Sequence, residues 1–185
     1  EGNDTVTASI DDGTANQKIG TLTGVENATL DFNQTAGSFD ASGSLTAITT
    51  TVAEASDTLS ITNLTSSQTV KITDGGVDYG NTSLDYANDA TANVEIGDTA
   101  TVGLGTLTFT DAQTVNIVAK GGTDSGFGVT TFDATADSTG AGGTDTISIS
   151  TSVAGSGITQ TGNFVTAEAE SITITTADTN AHITL

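Results

Sequence analysis

The chain has 185 residues and a net charge of −20, from 23 acidic and 3 basic side chains, and it contains no Pro, Cys, Met or Trp. This charge excludes nucleic acids and anionic membranes as partners, and the absence of Cys excludes disulfides and thiolate metal sites. No apolar run approaches the length of a membrane span, so no membrane insertion is expected. Without Met the chain cannot begin at its own start codon, and we expect a processed product or a piece of a longer polypeptide.

Predicted strands follow one another along the chain. The first has Val6, Ala8 and Ile10 on one face and ends at a turn that begins with Asp11. Further strands are predicted at 46–52 and 93–96, and the segments 55–62 and 140–149 repeat the opening pattern of a turn and a strand. Residues 84–104 are the least regular part. Four strands share one pattern, Glu or Gln followed by alternating polar and apolar residues, at 26–30, 68–72, 113–117 and 170–174. Because period two buries one face of a strand, these runs indicate folded β-structure rather than disorder.

The same order of motifs occurs twice. A strand led by Glu or Gln is followed by Phe-Asp-Ala-Ser/Thr, at 39–42 and 132–135, and then by Asp-Thr-Leu/Ile-Ser-Ile, at 57–61 and 145–149. Repetition of this kind is typical of stacked scaffolds. It predicts a single array over 1–185, with an N-terminal strand in 1–21 and two degenerate units at about 22–106 and 107–185.

No stretch of the chain keeps the apolar spacing of a helix, so the predicted fold class is all-β. Small residues, Thr-rich strands and repeats favour a parallel β-solenoid, with antiparallel β-sandwich domains as the alternative. Phe39 and Phe132 are expected in the core. Asp40 and Asp133 are expected to accept backbone hydrogen bonds at a corner.

Glycine-rich loops with closely spaced aspartates are the candidate binding sites. Calcium takes roughly six to eight oxygen ligands, which such loops supply from carboxylates and backbone carbonyls. The large acidic surplus attracts cations. The candidate ligands are Asp11, Asp12, Asp74, Asp78, Asp124 and Asp145. The alternative interpretation is that these residues form turns and keep the chain in solution.

These repeats resemble those of bacterial surface-layer proteins exported by type I secretion, a group allied to the RTX (repeats-in-toxin) proteins. The residues that carry the resemblance are 24–30, 39–42, 111–117, 132–135 and 170–185. The resemblance implies a secreted, calcium-binding, β-rich protein that forms a two-dimensional lattice on the cell surface. The RTX nonapeptide Gly-Gly-x-Gly-x-Asp-x-Leu-x is matched only in part, around Asp145, and no tandem nonapeptides occur. We therefore expect isolated loop sites rather than a regular calcium ladder.

An enzyme is not expected. The chain has no Arg or Trp and a single His, His182, so it has little with which to bind sugar rings or stabilise an anion. A two-carboxylate hydrolase would need a cleft with a paired carboxylate of raised pKa. The expected function is a structural, self-assembling surface-layer or extracellular filament protein, with calcium bridging acidic loops. Its expected partners are further copies of the chain and a cell-surface polysaccharide. The alternative is a segment of a secreted adhesin that binds a glycan or a surface, with ice as one case.

Overall fold

The fold is a parallel β-solenoid. This computed structural model describes residues 2–9, 17–32, 36–51, 57–73, 80–97, 102–120, 126–136, 144–152, 157–160, 163–166, 169–175 and 182–184. Every strand pair within these ranges is parallel, and no helix occurs in them. The predicted solenoid is confirmed. A sandwich is excluded because its neighbouring strands would run antiparallel.

The strands in chain order are β1 (Thr5–Ser9), β2 (Gln17–Ile19), β3 (Asn27–Asp31), β4 (Gly37–Asp40), β5 (Ala47–Thr51), β6 (Thr58–Leu64), β7 (Thr69–Thr73), β8 (Asn81–Ile96), β9 (Val102–Ala119), β10 (Gly126–Ala136), β11 (Thr146–Thr151), β12 (Gly157–Gln160), β13 (Phe164–Val165), β14 (Ser171–Thr175) and β15 (His182–Thr184). They form two stacks. Stack A contains β1, β3, β5, β7, the second halves of β8 and β9, β11 and β14. Stack B contains β2, β4, β6, the first halves of β8 and β9, β10, β12, β13 and β15. The chain alternates between the stacks, and one strand from each makes a turn.

Successive strands of stack A are one turn apart. The residues they pair are separated in sequence by 20 positions at the shortest, from Ala28 to Ile48, and by 32 at the longest, from Ile117 to Ile149. A turn is therefore shorter than the spacing between the Glu- or Gln-led strands. The units predicted at 22–106 and 107–185 each span several turns and meet inside β9.

The four Glu- or Gln-led strands all lie in stack A, but in two registers. Ala28 of the first copy shares a column with Val70 of the second, and Val115 of the third shares a column with Ile172 of the fourth. The residue of the third copy that aligns with Val70 through β8 is Ile117, which lies two residues after Val115. The two groups are thus offset by two residues, which leaves the inward and outward faces unchanged because side chains alternate with period two.

Inward side chains of both stacks form one hydrophobic core. Its largest fully buried members include four phenylalanines, Phe32, Phe39, Phe109 and Phe132, so the predicted burial of Phe39 and Phe132 is confirmed. The Phe132 ring lies between Phe109, at a centroid distance of 5.6 Å, and Phe164, on which it stacks at 4.5 Å. Across the described ranges no helix is long and apolar enough to span a membrane.

At the corner where the chain passes from stack B back to stack A, each of five successive turns has one residue with a left-handed backbone conformation. These residues are Gly24, Gly43, Asn63, Asp89 and Asp111, with φ between 59° and 118°. Gly, Asn and Asp tolerate this conformation best, which explains the residue types. At Gly43 a side chain is also excluded by space, because a Cβ atom would lie 2.5 Å from the carbonyl oxygen of Leu22.

Candidate functional site

Five of the six predicted calcium ligands lie outside the described residues. Asp11 and Asp12 fall between β1 and β2, Asp74 and Asp78 between β7 and β8, and Asp124 between β9 and β10. Each of these segments connects a stack A strand to the following stack B strand. Their role in calcium binding stays a prediction.

Asp145, the sixth predicted ligand, precedes β11 and is half-buried. Its carboxylate Oδ2 accepts a hydrogen bond from Gln113 Nε2 at 3.3 Å, and its backbone N donates to the Gln113 carbonyl at 2.9 Å. In the next turn, the Glu170 amide donates to the Asp145 carbonyl at 2.9 Å. Within the described ranges no three His, Asp or Glu side chains come together as a metal site. Asp145 lies in a column of polar side chains along one edge of stack A, with Gln113 and Glu170. Its role in calcium binding also stays a prediction.

The described part of the chain places its other notable carboxylates at the corner from stack B to stack A. We call Asp40, Asp85 and Asp111 the acidic corner. Asp40 ends β4, Asp85 lies at the matching position of β8, and Asp111 lies one turn further on in β9. Each follows a strand segment whose inward residues fill the core, so the carboxylates emerge where the chain bends.

Asp40 is held by hydrogen bonds from three turns. Its Oδ1 accepts from the Ser42 amide and from Asn63 Nδ2, each at 3.0 Å. Its Oδ2 accepts from Thr21 Oγ1 at 3.0 Å. The Ser42 side-chain and backbone hydrogen bonds, followed by that of Asn63, hold the pKa of Asp40 well below its usual range. The predicted corner role of Asp40 is confirmed by the Ser42 amide contact.

Replacing Asp40 with Asn is expected to destabilise the fold at neutral pH, and to destabilise it progressively less as the pH falls below 3.8. The folded-state pKa is below the unfolded value of 3.8, so the ionised carboxylate stabilises the fold above that value. This contribution is lost as the pH falls through the folded pKa. Thermal unfolding of both proteins between pH 7 and pH 2 measures the effect, and Asp89→Asn at the same corner removes the same charge as a control. If the two proteins differed in melting temperature by the same amount at every pH, the ionised Asp40 carboxylate would not be the source of the stabilisation.

Asp85 has the opposite electrostatic environment. Burial raises its pKa, and the negative charge of Asp111 in the next turn raises it further. Both carboxylates line a cleft of about 510 Å³. The other lining residues are Ser60, Thr62, Asn63, Ser83, Tyr86, Ala87 and Thr110. The lining therefore offers carboxylate, amide and hydroxyl oxygens, which suit a hard cation or a polar ligand.

Asp85→Asn is expected to stabilise the protein at neutral pH. With the folded-state pKa above 3.8, the ionised carboxylate costs stability above the folded pKa, and the cost disappears as the pH falls through it. The melting temperature of the variant should exceed that of the unmodified protein at pH 7, and the two should converge near pH 3. Asp89→Asn is again the matched control. A destabilised variant at pH 7 would mean that Asp85 makes a favourable contact in its ionised form.

The sequence prediction missed Asp85 and Asp111. The signal that could have found them is an Asp at the end of a strand-like run in which every second residue is apolar. The same context was noted for Asp40 and Asp133. The segment 84–104 looked irregular, although it lies largely within the single long strand β8. The pairing of Asp85 with Asp111 also depends on the stacking of turns, which the sequence does not specify.

In the comparisons with known proteins, no family model, no curated protein and no solved structure matches the chain.

Proposed function

We propose that the chain is a structural, self-assembling module of an extracellular surface layer or filament, in which solenoids pack end to end and calcium stabilises the acidic loops. The observation that carries this proposal is Ile172. This side chain stands in the same inward column as Val115 and Ile147, which are fully buried, yet it is 46% exposed. It is exposed because no described turn covers β14.

The two ends of stack A support the same proposal. Among the described residues, β14 pairs only with β11 and β1 only with β3. The large exposed hydrophobic residues of the described ranges, Val165 and Ile172, both belong to the last strands. A free strand edge with exposed apolar side chains is a template for pairing with another chain. Different surfaces at the two ends make the contact heterologous, so it propagates instead of closing.

Calcium is part of the proposal because the chain has a large negative net charge. A chain of net charge −20 repels itself and its copies, and bound cations reduce this cost. At the acidic corner, burial raises the pKa of Asp85 and the negative charge of Asp111 raises it further, which is a local repulsion of this kind. Divalent cations that bind carboxylate-rich loops would stabilise both the turn stack and the contact between copies.

Electron microscopy and sedimentation of the purified protein, with and without a calcium chelator, test this function. Ordered sheets or filaments that vanish on chelation and return with calcium but not magnesium are expected. Ile172→Asp should abolish assembly, whereas Thr29→Asp adds the same charge at an exposed position inside stack A and should leave assembly intact. Monomers in every condition would overturn self-assembly and favour the adhesin. Assemblies indifferent to chelation would remove calcium from the mechanism.

The cleft at the acidic corner favours a second candidate, hydrolysis of a glycosidic bond. Asp85, with its raised pKa, would act as the acid, and Asp111, which lines the same cleft, would act as the partner carboxylate of a two-carboxylate hydrolase. Release of reducing ends from acidic and neutral polysaccharides, compared between the unmodified protein and Asp85→Asn, tests it. Equal background rates would rule this activity out, and the structural proposal would be unaffected.

A further inference from the structure

We propose that the cleft at the acidic corner binds a saccharide that carries free amino groups, with an ammonium group paired to Asp85 and Asp111. This inference does not depend on self-assembly. It rests on the cleft of the hydrolysis candidate and names the class of sugar that the cleft would hold, whether or not the sugar is then cleaved. The shape of the cleft, its hydrogen-bonding groups and its charge each support this class of ligand.

The cleft crosses three successive turns of the solenoid. Its lining comes from β6, β8 and β9, which stack with steps of roughly 4.8 Å. Ser60 lies beside Ser83, and Asp85 lies beside Thr110, so polar side chains repeat from turn to turn. The cleft volume of about 510 Å³ is within the range of roughly 300–1,000 Å³ that is typical of small-molecule sites. This space suits a molecule with a repeating polar structure better than a single ion.

The lining is rich in groups that can bond to sugar hydroxyls. Besides the Asn63 amide it contains four side-chain hydroxyls, those of Ser60, Thr62, Ser83 and Thr110. Hydroxyl and amide groups both donate and accept hydrogen bonds, as sugar hydroxyls do. Asn63 is already held by the hydrogen bond from its Nδ2 to Asp40 Oδ1, at 3.0 Å. A ligand therefore loses little affinity in ordering this side chain.

One buried hydroxyl at the cleft has no partner. Tyr86 lines the cleft and is 3% exposed, and its hydroxyl has no hydrogen-bond partner among the described residues. Buried hydroxyls are usually bonded to protein or to ordered water, because an unpaired one is unfavourable. A hydroxyl of a bound sugar, or a water held by it, would provide the partner. This observation points to a ligand independently of the two carboxylates.

Two carboxylates determine the charge that the cleft selects. Asp85 and Asp111 lie in adjacent turns, and none of the described residues that line the cleft is basic. The two carboxylates interact, since burial and then the negative charge of Asp111 raise the pKa of Asp85. A cationic group would relieve this repulsion, and its hydrogen bonds to a carboxylate would be charge-assisted. Anionic sugars would be repelled, both here and by the net charge of −20.

A metal ion is the competing ligand. Within the described ranges no three His, Asp or Glu side chains come together. Two carboxylates would leave most of the roughly six to eight oxygen ligands of calcium to neutral groups and water. An ammonium group is a donor only, so two carboxylates and a few hydroxyl oxygens satisfy it completely. The cleft therefore suits an amino group better than it suits calcium.

Calorimetric titration of the protein with two matched tetrasaccharides tests the inference. At pH 6 and physiological salt the glucosamine tetramer should bind. The N-acetylglucosamine tetramer, with the same backbone but no charge, should bind about tenfold more weakly or less. Asp85→Asn and Asp111→Asn should each weaken binding of the glucosamine tetramer about tenfold. Asn tolerates the left-handed backbone of Asp111, so the second variant should also fold.

Asp89→Asn is the matched control. It removes the same charge from a left-handed residue at the same corner, but Asp89 does not line the cleft, so binding should be unchanged. Equal losses in all three variants would mean that the net charge attracts the probe, and would overturn the cleft as its site. Equal affinity for the two tetramers would overturn the amino group.

Two further ligands separate the remaining alternatives. If spermidine, a polyamine without hydroxyls, bound as tightly as the glucosamine tetramer, the saccharide would be overturned. Calcium binding that is lost in Asp85→Asn, with no binding of either tetramer, would overturn the inference in favour of a metal ion. Binding of the glucosamine tetramer without release of reducing ends would support the inference and refute hydrolysis. Self-assembly is unaffected by each of these results.

Discussion

Phe132→Ala is expected to lower the free energy of unfolding by about 3–5 kcal/mol. The Phe132 side chain is 1% exposed and its ring contacts Phe109 in the preceding turn and Phe164 in the following one. Truncation would leave a cavity between turns and remove both ring contacts. Urea unfolding followed by circular dichroism measures the loss.

Two companion variants make this test specific. Phe132→Leu keeps most of the volume and should cost clearly less than the alanine substitution. Phe164→Ala removes a ring that is only partly buried, and it should also cost less. If Phe132→Ala cost under about 1 kcal/mol, the aromatic contacts would not be holding neighbouring turns together.

Gln68→Leu is expected to cost about 1–3 kcal/mol for each buried group that it leaves without a partner. Gln68 is 2% exposed, and its Nε2 donates to the carbonyl of Ala41, a buried residue, at 2.7 Å. Its Oε1 accepts from the Thr65 amide at 2.8 Å. The amide side chain therefore connects the corners of two adjacent turns, and leucine provides neither hydrogen bond.

Gln113→Leu is the matched control, because Gln113 has the same place in the sequence motif. Its side chain is exposed and makes a longer hydrogen bond to Asp145, at 3.3 Å. Exposed substitutions of this kind change stability by about 0.5 kcal/mol or less. Denaturant unfolding of both variants gives the comparison. Equal effects would show that the buried contacts of Gln68 do not contribute more than an exposed hydrogen bond.

The Gln68 and Gln113 comparison also shows how far the sequence predicts this fold. Alternation predicted the strands and their buried faces, because period two is a local property of the chain. The register was not predictable: the motifs at 68–72 and 113–117 look equivalent, but they stack two residues out of step. A two-residue shift keeps every side chain on its face, so the sequence pattern contains no signal against it.

The candidate site was less predictable than the fold. Asp40 was identified because the Phe-Asp-Ala-Ser motif repeats, whereas Asp85 and Asp111 have different neighbours in sequence. Their closeness arises from the stacking of β8 on β9, which brings residues 26 positions apart into neighbouring turns. Glycine-rich loops with closely spaced aspartates, together with the acidic surplus, predicted cation binding. For Asp11, Asp12, Asp74, Asp78, Asp124 and Asp145 this stays a prediction.

Each strand of the described solenoid pairs with the strands of adjacent turns, and this has a mechanical consequence. A load along the filament would be carried in series by the contacts between turns, so the weakest turn sets the strength of the whole. Once an end turn detaches, its 20 to 32 residues extend by roughly 3.3 Å each, releasing on the order of 70–100 Å of chain. Under tension such a filament would lengthen in steps of one turn, and it would dissipate energy gradually where a brittle lattice would fracture.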